Sequence, residues 1–399
     1  MKVPTVRTTR EERITDLSND PSHSQTHAVL VAHATVRGHA ISQKNRVASH
    51  RKELRFHLCY LDGQTDQFQS SSSGGLFALE LSMLPRVSFV IPVRDDAVRL
   101  GRCLESIKRN QYPRELVEVI VVDNGSTDDS AQVARRHGAI VLRSNGRVAE
   151  LRNRGAQAAL GGILAFVDSD HEIDDRWIPT AVDVLSGGGV GAAGAPYIAP
   201  PAANWVQESY DNLRARPVAR QDVDWLASGN LAVSRKPFDS VGGFDRSLEA
   251  CEDVDLCNRL RRAGLRIVAE PDLRSVHFGD PSTLRALFFG ELWRGRDNAR
   301  VTLRGPRTFR HFRSVLIPLA NLAAIACGAI ALAVSLPAVA AVACSVVLAL
   351  AAIKVGRMAR RHRPTIVGAA QAFVVAVIFD LARALALLLR GSHRARREA

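Results

Sequence analysis

The 399-residue sequence predicts an α/β domain built on a parallel sheet, followed by a C-terminal region of apolar helices. Three observations carry this reading. Short apolar runs alternate with segments of helical periodicity from Val87 to about Phe278. Three of those runs end in acidic residues. From Ser314 onward, forty consecutive residues contain no Asp, Glu, Lys or Arg.

Residues 87–93 read as a buried strand, and 98–108 as a helix with apolar Val98, Leu100, Leu104 and Ile107. Residues 116–122 form a second buried strand. The stretch 126–137 is helical, with Ser126 as its cap. A third strand at 139–142, a helix near 150–160 and a fourth strand at 163–167 follow. Apolar runs joined by helices imply a parallel sheet covered on both faces. Ligands in such sheets sit at the carboxyl ends of the strands.

The first 82 residues differ from this. They hold six of the twelve histidines and the run Ser70-Ser71-Ser72-Ser73-Gly74-Gly75, with no sustained apolar period and no signal-peptide pattern. Order begins at Met83, so 1–82 is expected to be a disordered leader or a mis-extended start, with a genuine flexible extension as the rival.

Charge locates the partners. The chain holds 53 Lys+Arg and 40 Asp+Glu, net +13. Residues 1–82 contribute +2, 83–303 contribute −1, and 304–399 contribute +12. Nearly all the surplus therefore lies in the most apolar quarter, which argues for a membrane and against nucleic acid. None of the six cysteines forms a CxxC pair, so a zinc module or disulfide framework is not expected, and a reducing cytosol is the natural setting.

A bilayer-spanning helix needs about 20 apolar residues. The uncharged run, broken by Ser335-Leu336-Pro337, reads as two membrane helices at about 314–334 and 337–354. A third apolar segment at about 365–389 carries Asp380 and Arg383. It either spans as a tilted helix with those two paired at i, i+3, or lies in the interface. Arg304, Arg307, Arg310 and Arg313 precede the hairpin, and Lys354, Arg357, Arg360, Arg361 and Arg363 follow it. Basic flanks stay on the cytoplasmic side. The expectation is a multi-pass protein of the inner or plasma membrane, with residues 83–303 in the cytoplasm and 304–399 as the membrane region. The basic tail (Arg390, Arg394, Arg396, Arg397) favours a third segment that does not cross.

The chemistry gathers at strand ends. The first strand ends in Pro92-Val93-Arg94-Asp95-Asp96, the second in Asp123-Asn124-Gly125-Ser126-Thr127-Asp128, and the fourth in Asp168-Ser169-Asp170. Repelling carboxylates on one rim call for a cation or a donor-rich ligand. Asp-x-Asp offers two hard oxygens suited to Mg²⁺ or Mn²⁺ bridging a diphosphate.

These motifs, with Arg152-Asn153-Arg154-Gly155, Gly242-Gly243-Phe244-Asp245 and Glu252-Asp253-Val254-Asp255, resemble glycosyltransferase family 2 over roughly residues 86–280. The resemblance implies a GT-A fold, Rossmann-like, and inverting transfer from a nucleotide-diphosphate sugar. It implies nucleotide-sugar binding by Pro92, Arg94, Asp123, Arg152 and Asp168, with Asp123 on the nucleobase or ribose. It places the metal at Asp170 and His277 and makes Asp253 the catalytic base. Asn230 and Glu252 would face the acceptor, and Trp293 would line its entrance or touch lipid phosphates; the membrane anchor points to a lipid-linked or cell-envelope glycan as that acceptor. A Gly-Asn turn before a strand is the plainer account of Asn230, and a surface linker that of Trp293. Processive members carry Gln-x-x-Arg-Trp after the base; here Gln221-Asp222-Val223-Asp224-Trp225 precedes Asp253 and lacks the Arg, so one sugar per encounter is expected. The alternatives are a polyprenyl-phosphate sugar synthase and a catalytically inactive membrane scaffold.

Overall fold

Strand β1 (Val87–Val93) is buried at every position, which is why its sequence is apolar without alternation. A computed structural model of the chain describes residues 84–214, 217–306 and 309–389. The expectations for residues 1–82, for Met83, for Arg307 and for the basic tail from Arg390 fall outside them.

β1 pairs in parallel with β2 (Val117–Asp123) and β4 (Ile163–Val167), and β2 pairs in parallel with β3 (Ile140–Arg143). Pro92 lies beyond Val90, the last β1 residue paired with β4, so its missing N–H breaks no ladder bond on that side. Beyond β4 the sheet departs from the parallel expectation. β8 (Asn230–Ser234) runs antiparallel to both β4 and β6 (Val190–Gly194). β9 (Arg266–Ala269) is parallel to β6, and β7 (Gln221–Asp222) lies antiparallel on β9. The order is β3-β2-β1-β4-β8-β6-β9-β7, a mixed sheet. The reason is physical: a strand buried on both faces reads the same in either direction, so an apolar run carries no polarity. A separate antiparallel pair joins β5 (His171–Ile173) to β10 (Ser275–His277).

Two cores cover the sheet. Phe89, Ile91 and Val121 meet Leu100, Ile107 and Trp177 on one face. Val90, Ile120 and Val122 meet Ala149, Ala156, Phe244 and Leu256 on the other. The first face takes α1 (Ala97–Lys108) and α4 (Trp177–Ser186); the second takes α3 (Val148–Ala158), α6 (Arg235–Ser240) and α7 (Glu252–Arg262). The helix expected from Ser126 starts later, as α2 (Ser130–Arg136), and Ser126 does not cap it. Instead the Ser126 hydroxyl accepts the Asp95 N–H at 3.0 Å, across to the loop after β1. Three further helices are α5 (Trp205–Asn212), α8 (Leu284–Arg294) and α9 (Asn298–Arg304).

The apolar region forms α10 (Phe309–Ala333), α11 (Pro337–His362) and α12 (Ile366–Ala386). Ser335 in the left-handed region and Pro337 at the first turn of α11 make the break. All three helices are long and apolar enough to cross a membrane. Leu316, Leu319, Ile330, Leu332, Val342 and Val346 are exposed on the first two, apolar surface that water does not favour. α11 runs past the uncharged segment and carries Lys354, Arg357, Arg360 and Arg361.

α12 packs along α8 and α5 as well as along α10 and α11. Its Val375 joins Val206, Tyr210 and Leu287 in a third apolar cluster. The expected Asp380–Arg383 pair is replaced by two cross-helix pairs. Asp380 bonds Lys354 of α11, and Arg383 Nε donates to Glu291 Oε2 of α8 at 2.7 Å. Glu291 is completely buried, so a partner from α12 offsets a desolvation that an intrahelical pair would leave standing.

α3 crosses β1 closely at Gly155, where a Cβ would lie 2.3 Å from Val90 Cγ1. A second contact, 3.1 Å from Val122 Cγ2, puts the overpacking cost of Gly155→Ala at about 2–3 kcal/mol, so the melting temperature should fall. Alanine's helix preference of about 1 kcal/mol acts the other way. Thermal unfolding of the solubilised chain checks this; an unchanged or higher melting temperature would refute the tight crossing.

Candidate active site

The site is built at the carboxyl edge of β1, β2 and β4. Asp123 ends β2 and is 1% exposed. Its Oδ1 accepts the Ser126 N–H at 2.8 Å, while Oδ2 is buried with no hydrogen bond and only Arg143 Nε at 4.0 Å. A buried acceptor left open is uncommon and suits a ligand N–H or hydroxyl. Gly125 turns the chain at φ 74°. Asp95, itself at φ 50°, accepts the Thr127 N–H at 2.7 Å and the Thr127 hydroxyl at 3.0 Å. Those bonds, the N–H first, hold its carboxyl below the usual range. Asp128 accepts the Ala97 N–H at 2.9 Å, tying down the start of α1. Ser126, Thr127 and Asp128 thus staple the second strand's loop to the first. Arg94 is exposed on the rim of a cleft of about 460 Å³ that Asn124, Gly125, Asn145 and Arg147 also line.

Arg152 projects from α3 into this edge and is almost wholly buried. Its Nη2 donates to Asp168 Oδ1 at 2.6 Å and its Nη1 to Glu252 Oε1 at 2.7 Å. Burial works against its charge, but Asp168 and Glu252 outweigh that and raise its pKa. The Ser228 hydroxyl donates to the same Glu252 oxygen at 3.2 Å. Asp253 follows at the first turn of α7, presented by Cys251 in the left-handed region at φ 61°. Burial, then the Glu252 charge beside it, pushes the Asp253 carboxyl up to about 7. Asp255 instead pairs with Arg259 along the helix at 2.8 Å, a structural bond.

Asp170, His171 and His277 bring one oxygen and two nitrogens within 4.8 Å of one another. Pairing of β5 with β10 sets the two histidines directly opposite. Asp170 Oδ2 lies 3.3 Å from His277 Nε2. The other ring nitrogens are occupied: His171 Nδ1 by the Ser275 hydroxyl and His277 Nδ1 by Asp280 Oδ1, each at 2.9 Å. His171 Nε2 is thus left for a cation, and His277 Nε2 joins it when the cation takes the place of the proton shared with Asp170. Burial opposes the Asp170 charge, yet the His277 hydrogen bond and charge hold its carboxyl well below the usual range. Burial likewise opposes the His277 charge, and its bonds to Asp170 and Asp280 push it up to about 9. His171 is pushed down to about 4 by burial, then by the neighbouring His277, and stays neutral.

The donor set fits Mg²⁺ less well than Mn²⁺, which accepts nitrogen beside oxygen. The backbone is also cut back for it. A Cβ at Gly279 would stand 1.9 Å from Asp170 Oδ2 and 2.8 Å from His277 Nε2. One at Gly229 would stand 2.6 Å from Asp168 Oδ2.

The edge therefore gathers Asp123, Arg152, Asp168, Asp170, Glu252, Asp253 and His277. One sequence expectation lies apart. Asn230 is in the core: it donates to the Ala195 and Leu273 carbonyls and accepts from the Trp177 indole at 2.8 Å, leaving no free amide for an acceptor. Trp293 sits on α8, 42% exposed. Glu252 reaches the edge, bound to Arg152 and Ser228. Sequence reasoning overlooked His171, Gly229, Gly279 and Asp280. His171 was detectable as the residue directly after Asp-x-Asp; the rest depend on folding.

Gly279→Ala should weaken Mn²⁺ binding at least about tenfold, the scale seen when a metal site's supporting shell is disturbed. Titration calorimetry alongside thermal unfolding checks it; unaltered affinity in a folded variant would remove this cluster as the cation site.

Residues 88–239 match glycosyl transferase family 2. Glycosyltransferase AglE of Haloferax volcanii is 31% identical over 224 residues, 53% of this chain and 70% of that protein. The pre-mycofactocin glycosyltransferase of Mycobacterium tuberculosis is 32% identical over 48% of this chain, and the match spans 42% of its own length. Among solved structures, the mannosyltransferase PcManGT from Pyrobaculum calidifontis is similar in fold, with a TM-score of 0.50 at 20% identity. That likeness covers 74% of this chain and 87% of the other. The family match spans the acidic strand ends and the archaeal relative is covered over most of its length, so the chain belongs to glycosyl transferase family 2 and is a glycosyltransferase.

Proposed function

We propose that the protein is a membrane-anchored, inverting glycosyltransferase that moves one sugar from a nucleotide-diphosphate sugar to a lipid-linked or cell-envelope glycan acceptor. The observation that carries this reading is the contrast between two adjacent carboxylates. Glu252 is bound to Arg152, whereas Asp253 makes no ion pair among the described residues and its carboxyl stands at about 7. A general base works best with a pKa near the operating pH.

Asp123 takes the nucleobase or ribose through Oδ2, with Arg94 lining the approach and Pro92 buried beneath it in β1. Arg152 holds Asp168 toward the ribose. Asp253 takes the proton of the attacking acceptor hydroxyl while that hydroxyl's oxygen bonds to the anomeric carbon. The bond to the diphosphate breaks on the opposite face, which inverts that centre with no covalent intermediate. Asp170, His171 and His277 would hold the Mg²⁺ or Mn²⁺ ion, which supplies positive charge to the departing diphosphate. The similar mannosyltransferase from Pyrobaculum calidifontis is in complex with GDP-Man and Mn²⁺, which supports a donor and cation of this kind.

α10–α12 supply the anchor and keep the site near lipid head groups. The basic residues around them favour a cytoplasmic catalytic face, and α12's packing along α5 and α8 favours a third helix that braces that domain without crossing.

Asp253→Asn should reduce turnover by about 10²–10⁴ while nucleotide-sugar affinity stays near that of the natural protein. Steady-state kinetics with separate donor-binding calorimetry checks both. Activity retained toward a polyprenyl phosphate would instead identify a polyprenyl-phosphate sugar synthase, whose acceptor oxygen is already ionised.

Because the base works ionised, kcat/KM should fall as pH drops through about 7. Glu252→Gln removes the adjacent like charge, so that acid limb should move to lower pH. A pH–rate profile showing no shift, or a shift upward, would contradict the assignment.

A further inference from the structure

Behind the cation-holding cluster runs a polar chain that the transfer chemistry does not use. His277 Nδ1 meets Asp280 Oδ1 at 2.9 Å. Both Asp280 oxygens accept from Arg214, at 2.6 and 3.0 Å. The Arg214 guanidinium lies between two rings, 4.3 Å from Tyr197 and 4.2 Å from Tyr210. The Tyr210 hydroxyl donates to Glu291 Oε1 at 2.5 Å, and Arg383 of α12 donates to Glu291 Oε2 at 2.7 Å. Direct contacts thus link the histidine of the cation cluster to the third apolar helix.

Each link has a physical reason. A carboxylate on Nδ1 keeps that nitrogen protonated and sets the ring angle, so Nε2 already faces Asp170 when a cation takes the place of its proton. Asp280 is buried and needs a cation, which Arg214 supplies. Arg214 is in turn held flat by two aromatic faces. Tyr210 is placed by its bond to Glu291, and Glu291 is compensated from another segment of the chain. Polar networks of this kind are rigid only when every member is satisfied.

We propose that Asp280 is a positioning residue for His277, and that Tyr210, Glu291 and Arg383 extend this support to α12. Docking of the third apolar helix then sets the geometry of the cation site. The proposal rests on the reading that Asp170, His171 and His277 hold a divalent cation.

The test uses the full chain in lipid nanodiscs and measures Mn²⁺ affinity by electron paramagnetic resonance without donor. Arg383→Gln is the decisive variant. It removes a positive charge, so electrostatics alone predicts equal or tighter Mn²⁺ binding, whereas positioning predicts several-fold weaker binding. Tyr210→Phe changes no charge, removes one hydroxyl from a packed ring, and is expected to weaken binding as well. It also keeps the test open if Arg383→Gln does not fold. Asp280→Asn should weaken binding by about ten- to a hundredfold. Recorded above about pH 9, where the natural protein's His277 is neutral, its ¹⁵N-histidine spectrum should show a mixture of tautomers in place of the Nδ1–H form. Arg383→Gln and Tyr210→Phe proteins that bind Mn²⁺ as tightly as the natural protein, while Asp170→Ala does not bind, would overturn the proposal alone. Natural protein that binds no Mn²⁺, or an Asp170→Ala variant that binds it normally, would overturn the cation reading beneath it.

Discussion

The buried guanidinium of Arg152 is the constraint on which the catalytic edge depends. A parallel sheet edge delivers Asp168 from one strand, and a helix start delivers Glu252 and Asp253 from another segment. Three carboxylates in so small a volume repel one another, and Glu252 among them is buried from water. Arg152 answers two of them through separate nitrogens, at 2.6 and 2.7 Å. A planar fork with fixed donors can do this; a lysine's single point of charge cannot bridge two acceptors with the same geometry. What remains is an asymmetric pair. Glu252 is fixed and compensated, and Asp253 is left beside it with a proton held more firmly than usual. The reactivity proposed for Asp253 is thus a consequence of how its neighbour's charge is handled.

The same logic governs the junction with the apolar helices. Glu291 sits in α8 with no exposed surface, and it is answered from three directions by Tyr210, Arg294 and Arg383. One of those answers comes from α12. The apolar contact of Val375 with Val206, Tyr210 and Leu287 is non-directional, so it holds α12 in place without fixing its rotation. The Arg383–Glu291 bond supplies the missing angular constraint. Lys354 with Asp380 does so on the other side, between α11 and α12.

Much of this was legible in the residues. Buried strands 87–93 and 163–167 were placed within the sequence as they fold, because seven and five consecutive buried positions leave an unmistakable apolar run. Acidic strand ends marked the edge, since a carboxylate directly after such a run has few places to go. Direction was not legible: β8 is buried at four of its five positions much as β4 is at all five, and it runs the other way. Ser126 misled because a serine before a helix usually caps it, whereas here its hydroxyl serves a loop 31 residues back. Asn230 misled for a related reason. A polar residue beside Gly229 looked exposed, but three hydrogen bonds make it affordable in the core. Partners distant in sequence decided all three, and no local pattern encodes a partner.

The cation cluster shows how far such distant pairing reaches. His171 follows Asp-x-Asp directly, while His277 arrives more than a hundred residues later, and only strand register makes them neighbours. Side chains alternate along a strand, so a slip of one residue would replace His277 with Val276 and turn the imidazole to the opposite face. A two-stranded pair of three residues each is marginal by itself. Here the register is pinned from outside: Ile198 accepts the His277 N–H at 2.9 Å and donates its own N–H to the Ser275 carbonyl at 2.9 Å. The Ser275 hydroxyl then meets His171 across the ladder. Each of these bonds fails if β10 shifts, so the backbone that locates His277 is over-determined. Its side-chain angle is not fixed by register, and that remaining freedom is what the carboxylate of Asp280 removes.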